Sequence, residues 1–236
     1  MKTIQMACLC HSGRNFWQFK RFLSNKKDSY GMTTFSIASL LFIFSSFLQS
    51  CGGVPETYYY TLAFEQSAPL NDGHTPLPFA LGVEKFQSET IYDDDRIIYR
   101  DSPFEVKYYF YRRWVAPPRH LITEKVLSHL SDAGLFEKVA MHPSNVNVKY
   151  VLSGRLLAFE EWDEQNNWYG KVAFKASLYE PAAQRVVWNG SFEHLQPVAK
   201  KIPSAVVEAL SVSMKKCLDD LAHSLGKELS VQKANP

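Results

Sequence analysis

The chain has 236 residues and carries 26 basic against 24 acidic side chains, a net charge of +2 with neutral histidines. Residues 1–50 hold six of the basic residues (Lys2, Arg14, Lys20, Arg21, Lys26 and Lys27) and one acid, Asp28, which leaves 20 basic against 23 acidic side chains, a net charge of −3, beyond them. The slight excess of positive charge therefore belongs to the leading segment, and composition makes no case for nucleic-acid binding by the rest.

The leading segment ends in an apolar stretch from about Thr33 to Leu48, followed by Leu48-Gln49-Ser50-Cys51 and then Gly52-Gly53. The stretch falls short of the ~20 apolar residues that span a bilayer, and basic residues precede it, as in a secretory signal. The closing run looks like a bacterial lipobox. Residues 1–50 are thus expected to be a lipoprotein signal peptide, Cys51 the lipidated N-terminus, and 51–57 a short tether. At about 3.5 Å per residue that tether reaches at most roughly 25 Å. Gly52 rather than Asp after the cysteine favours export to the outer membrane, by resemblance to lipoproteins of double-membraned bacteria. Cys8 and Cys10 leave with the leader, Cys51 carries lipid, and Cys217 has no partner, so the exported domain holds no internal disulfide.

Tyr58–Phe64 predicts a strand rich in aromatic and β-branched residues. A Pro- and Gly-punctuated loop follows over 66–78. Strands are expected over 79–86, 96–100 and 104–114, with Asp93-Asp94-Asp95 as a turn. Pro117-Pro118 opens a helix bearing Leu121, Ile122, Val126, Leu127 and Leu130, which Gly134 stops. A short strand over 135–141 precedes a hairpin of 148–160 and 168–179 around residues 163–167. A strand over 184–194 pairs next. The last element is a helix beginning near Pro203, with Val207, Leu210, Met214, Cys217, Leu221 and Leu225 in one stripe. This order predicts an α+β single domain over 58–229, a largely antiparallel sheet with two amphipathic helices packed on it, and a tail over 230–236.

Chemical constellations are sparse. Cys8-Leu9-Cys10-His11 matches no zinc spacing, and the Asp93–Asp95 run lacks the Gly and Glu of a calcium loop, which leaves a solvated turn. Glu160, Glu161, Asp163 and Glu164 flank the expected hairpin tip, where such residues face water. His120, His129, His142 and His194 are scattered, with no nucleophile at a matching spacing. No catalytic residue, metal or cofactor is expected beyond the lipid on Cys51. The strand holding Tyr108, Tyr109, Phe110, Tyr111 and Trp114 places aromatics on both faces. One face suits the core; the other is open to the final helix, a partner or another copy.

The lipobox, Tyr58-Tyr59-Tyr60-Thr61-Leu62, Arg96-Ile97-Ile98-Tyr99-Arg100, the Arg113-Trp114-Val115-Ala116-Pro117-Pro118 junction, Tyr150-Val151-Leu152-Ser153-Gly154 and the closing helix follow one another in an order that resembles the ABC-type transport auxiliary lipoproteins. This group includes paraquat-inducible protein C. The resemblance covers Cys51–Leu229. It implies a non-enzymatic lipoprotein that docks an MCE (mammalian cell entry) protein of a lipid transporter at the periplasmic face of the outer membrane, as a ring of copies. Tyr109, Tyr111, Arg113 and Trp114 are the expected docking or self-association surface. Two other readings stand beside it: an assembly factor of another envelope or secretion complex, and a hydrolase using the Glu160–Glu164 carboxylates.

Overall fold

A computed structural model describes residues 53–65 and 75–234. Contacts divide the chain into Met1–Val54 and Pro55–Pro236, and the second unit carries the helices and strands described below. Cys51, the signal segment and most of the expected 66–78 loop lie outside the described residues. The chain order is β1 (Tyr58–Tyr60), β2 (Leu77–Glu84), β3 (Gln87–Ser88), a 3-10 turn (Thr90–Asp93), β4 (Arg96–Ser102), β5 (Glu105–Trp114), α1 (Pro118–Asp132), β6 (Phe136–His142), β7 (Tyr150–Glu164), β8 (Asn167–Glu180), β9 (Arg185–Pro197) and α2 (Pro203–Ala234). The fold class is α+β, as expected. No helix among the described residues is long and apolar enough to cross a membrane.

The sheet is mixed and branches at β7. On one side β7 runs antiparallel to β8 from Val151 to Glu164, and β8 runs antiparallel to β9. On the other side three strands share the edge of β7 in turn. β2 pairs parallel with Tyr150–Leu152 and carries β6. β3 pairs with Arg155–Leu156, and β4 with Glu161–Trp162. β4 carries β5 by an antiparallel ladder, and β5 carries β1 in parallel. Two small wings, β2–β6 and β4–β5–β1, thus hang from one long strand, and α1 bridges them in sequence. The antiparallel ladders are the long ones, while every pairing of β7 on its wing side is parallel. Pro78 sits within β2, where it cannot donate to a ladder; the β2–β6 register shifts between Leu77 and Ala80 to accommodate it.

The hairpin between β7 and β8 turns on only two residues, Gln165 and Asn166, both at positive φ (48° and 68°). This is the geometry of a turn whose twist matches its flanking strands. β7 therefore runs to Glu164, four residues beyond the sequence expectation, β8 starts at Asn167, one residue before it, and Glu160 and Glu161 fall inside the ladder rather than at a solvated tip. Gly134 (φ 66°) ends α1 as expected.

Helix α2 buries its whole predicted stripe, with Val206, Leu218 and Ala222 added to it, against β8 and β9. It also continues to Ala234. Gly170 of β8 permits this contact: a Cβ there would lie 2.6 Å from the Leu210 backbone nitrogen. Ser213 Oγ donates to the Gly170 carbonyl at 2.7 Å in the same buried seam. Cys217 packs in the core, where burial pushes its thiol up to about 12. It is an inert apolar filler at neutral pH.

Candidate functional site

The strand expected to carry a binding surface is β5, and the ladder to β4 shows how it does so. Ile98 opposes Tyr108 and Arg96 opposes Arg113, so β4 advances two residues where β5 advances five. The surplus is taken up by Tyr109–Arg112, which leave the regular ladder. Bulges of this kind re-aim side chains and break the two-residue alternation of a strand. Phe110 and Trp114 would share a face in a regular strand, yet Phe110 is 77% exposed and Trp114 1%.

Trp114 is therefore not a surface residue, and its expected role is corrected. Its ring lies 5.0 Å from that of Phe159, its amide donates to the Asp95 carbonyl at 2.6 Å, and the next amide, of Val115, donates to Tyr60. Arg113 is also withdrawn from the expected surface: it is half-buried and engaged by Asp95. Tyr109 is half-buried, and its hydroxyl donates to Glu161 Oε2 at 2.9 Å. Only Tyr111 of the four is exposed as expected.

The sequence reading missed the residues that join Tyr111. β1 is the sole outer neighbour of β5 among the described residues and covers only Arg112–Trp114, so Glu105–Tyr111 presents an open edge. Tyr58 and Tyr59 reach this edge through the parallel β1 pairing, and both are exposed. The Arg112 guanidinium stacks over Tyr58 at 4.1 Å. An open depression of about 530 Å³ runs along this edge, lined by Tyr58, Tyr99, Tyr109, Phe110 and Tyr111 among others. Aromatic residues at an unpaired edge offer both apolar area and backbone hydrogen bonds to an incoming chain. The run of bulky residues in β5 signalled an aromatic surface; nothing local signalled the bulge, because a bulge is a property of the pairing.

Beside this edge β7 buries carboxyl groups on opposite faces, Glu160 on one and Glu161 with Asp163 on the other. Glu160, 4% exposed, accepts from Tyr92 Oη and from Arg100 Nε, both at 2.7 Å. Glu161 is fully buried, and two residues along the same face stands Asp163. Glu161 Oε1 and Asp163 Oδ1 are both buried without a donor. One proton held on Glu161 and donated to Asp163 gives each a partner. Burial raises the Glu161 carboxyl to about 7, with the Asp163 charge adding to it and the Tyr109 hydroxyl opposing; burial raises Asp163 as well. In the unfolded chain Glu161 loses its proton near its ordinary 4.5, whereas the folded chain keeps it to about 7. The unfolded state then binds fewer protons across this window, so stability falls as pH rises through it. Glu161→Gln, which stays neutral and can donate to Asp163, is expected to flatten that slope by up to about 1.4 kcal/mol per pH unit. Unfolding free energies at several pH values from 4.5 to 7 check this, and parallel slopes for the two proteins would refute it.

The Asp93–Asp95 turn is not simply solvated. Asp93 accepts from Ser88 and pairs with Arg119, Asp94 is held by Arg96, and Asp95 by Arg113. The Arg96 guanidinium and amide hold the Asp94 carboxyl down at about 2. His129 is buried against Asp219 at 3.2 Å, and His194 lies beside Lys216. Among the described residues no group of three or more His, Cys, Asp or Glu side chains is placed to hold a metal.

Comparisons with known proteins agree with this fold. The profile of the family described as ABC-type transport auxiliary lipoprotein component matches residues 60–222. Protein XCC0632 from Xanthomonas campestris, of the DUF330 family, superposes with a TM-score of 0.67 at 21% identity, over 75% of this chain and 100% of its own. The crystal structure of an uncharacterized protein superposes with a TM-score of 0.57 at 12% identity, over 72% and 99% of the two chains. No curated protein sequence matches the chain.

Proposed function

Since the chain belongs to the ABC-type transport auxiliary lipoprotein family, we propose that it is a non-enzymatic lipoprotein that docks a periplasmic MCE-domain protein of a lipid transporter at the outer membrane. In this reading Cys51 carries the lipid, copies of the domain ring the end of the MCE tunnel, and the bulged edge of β5 is the docking surface. The observation that carries the surface is the group Tyr58, Tyr59, Phe110 and Tyr111, exposed together along an open sheet edge. Aromatic residues in such clusters dominate the binding energy of protein interfaces.

Pull-down of the tagged protein from native envelopes in mild detergent tests both parts. The wild type is expected to recover an MCE-domain protein with its permease. Phe110→Ala with Tyr111→Ala is expected to reduce that recovery at least tenfold, while Tyr179→Ala, an exposed aromatic on β8, leaves it unchanged. Equal recovery by both variants removes the case for this surface. Recovery of a different envelope complex moves the assignment to an assembly factor of that complex. Cys51→Ser is expected to abolish outer-membrane fractionation; retention there would overturn the anchoring role.

A further inference from the structure

Away from the β5 edge, three cations converge on one small polar depression of about 250 Å³. Lys85 follows β2, Arg155 lies in β7 and Lys175 in β8, and Ser153, Gly154 and Ser177 line the depression between them. Arg155 and Lys175 are directly opposite in the antiparallel ladder, next to the core pair Leu156 and Phe174, so they stand on the sheet face turned away from that core. Like charges directly opposite across two strands are destabilising.

Among the described residues none of the three cations has an ion pair with a carboxylate. Glu84 is the one acid lining the depression, which leaves a local surplus of positive charge on a domain whose net charge is −3. The opposed Ser153 and Ser177 flank the cation pair with short side chains, and β7 and β8 hold the two central cations on the longest ladder of the sheet. A guanidinium presents paired donors that match phosphate oxygens, and a nearby ammonium adds a compact charge. The size suits one phosphate group and not an acyl chain.

We propose that Lys85, Arg155 and Lys175 form a binding site for a phosphate-bearing anion, either a lipid headgroup or a free phosphate. The site is independent of the β5 edge and does not rest on the docking assignment. Calorimetric titration of the detergent-solubilised full-length protein tests it, with two probes: inorganic phosphate and soluble dihexanoyl phosphatidylglycerol, with dihexanoyl phosphatidylcholine for comparison. Binding of one or both anionic probes is expected, weakened at least tenfold by Arg155→Gln with Lys175→Gln. Arg185→Gln, an exposed cation elsewhere, is expected to leave it unchanged. Equal affinity for both anions assigns the site to phosphate as such, and preference for phosphatidylglycerol over phosphate and phosphatidylcholine assigns it to a lipid headgroup. The double variant is also expected to melt at the same or a higher temperature than the wild type, since the repulsion is relieved. No binding of either anion, or equal loss in Arg185→Gln, overturns the proposal.

Discussion

Trp114→Ala is expected to lower the unfolding free energy by about 3–5 kcal/mol, the range for truncating a buried tryptophan or phenylalanine. The indole fills the space where the end of β5, Phe159 of β7 and the turn around Asp95 meet, and it is almost wholly removed from water. Its loss leaves a cavity between β5 and Phe159 of the central strand β7. Phe110→Ala, four residues earlier in the same strand, is expected to change stability by no more than about 0.5 kcal/mol, as exposed positions do. Urea denaturation of the two variants separates the roles: a packing residue and a surface residue in one aromatic run. Similar midpoints for both would show that Trp114 is not part of the core. The contrast also bears on interpretation of binding data, because a Trp114 variant that fails to bind a partner will have lost its fold first.

Glu160→Ala is expected to cost about 3–5 kcal/mol, the range for removing one member of a buried ion pair. The carboxylate receives the Arg100 guanidinium and the Tyr92 hydroxyl, and both donors are largely shielded from water. Without it Arg100 keeps its charge with no counterion, and the Tyr92 hydroxyl loses its acceptor. Glu160→Leu combined with Arg100→Met is expected to recover most of the loss, since a buried pair replaced by apolar side chains of similar volume is often neutral. Chemical denaturation of the single and double variants decides the matter. A double variant no more stable than Glu160→Ala would mean that the carboxylate acts through something other than this pair. The location of the pair explains why it matters to the surface: Arg100 belongs to β4 and Glu160 to β7, so the ion pair ties the β4–β5–β1 wing to the central strand. The Tyr109–Glu161 hydrogen bond makes a second tie between β5 and β7.

The helices were legible because each one is specified locally. Pro117-Pro118 and Gly134 bound α1, and the apolar stripe of α2 repeats at the helical period over several turns; all six stripe residues named from sequence are buried. The long hairpin was legible for the same reason, since alternation in β8 marks one buried face. Its turn was placed too broadly because Gln165-Asn166 lacks the glycine that usually marks a two-residue turn with both residues at positive φ. A longer turn puts Glu160 and Glu161 at its tip, whereas the two-residue turn places both inside the ladder.

The sequence by itself determined the α+β class, the two helices and their buried faces, the likeness to a lipoprotein family, and the presence of an aromatic strand at Tyr108–Trp114. These rest on periodicity, turn residues and motif order, all of which are written along a single stretch of chain. Only the tertiary structure decided that β2, β3 and β4 share one edge of β7, that β5 bulges where it leaves β4, that Phe110 faces water while Trp114 fills the core, and that Lys85, Arg155 and Lys175 meet. Each of these depends on which strands pair and in what register. One extra residue on one side of a ladder turns a side chain from one face to the other, and no local pattern records the strand that will lie beside it.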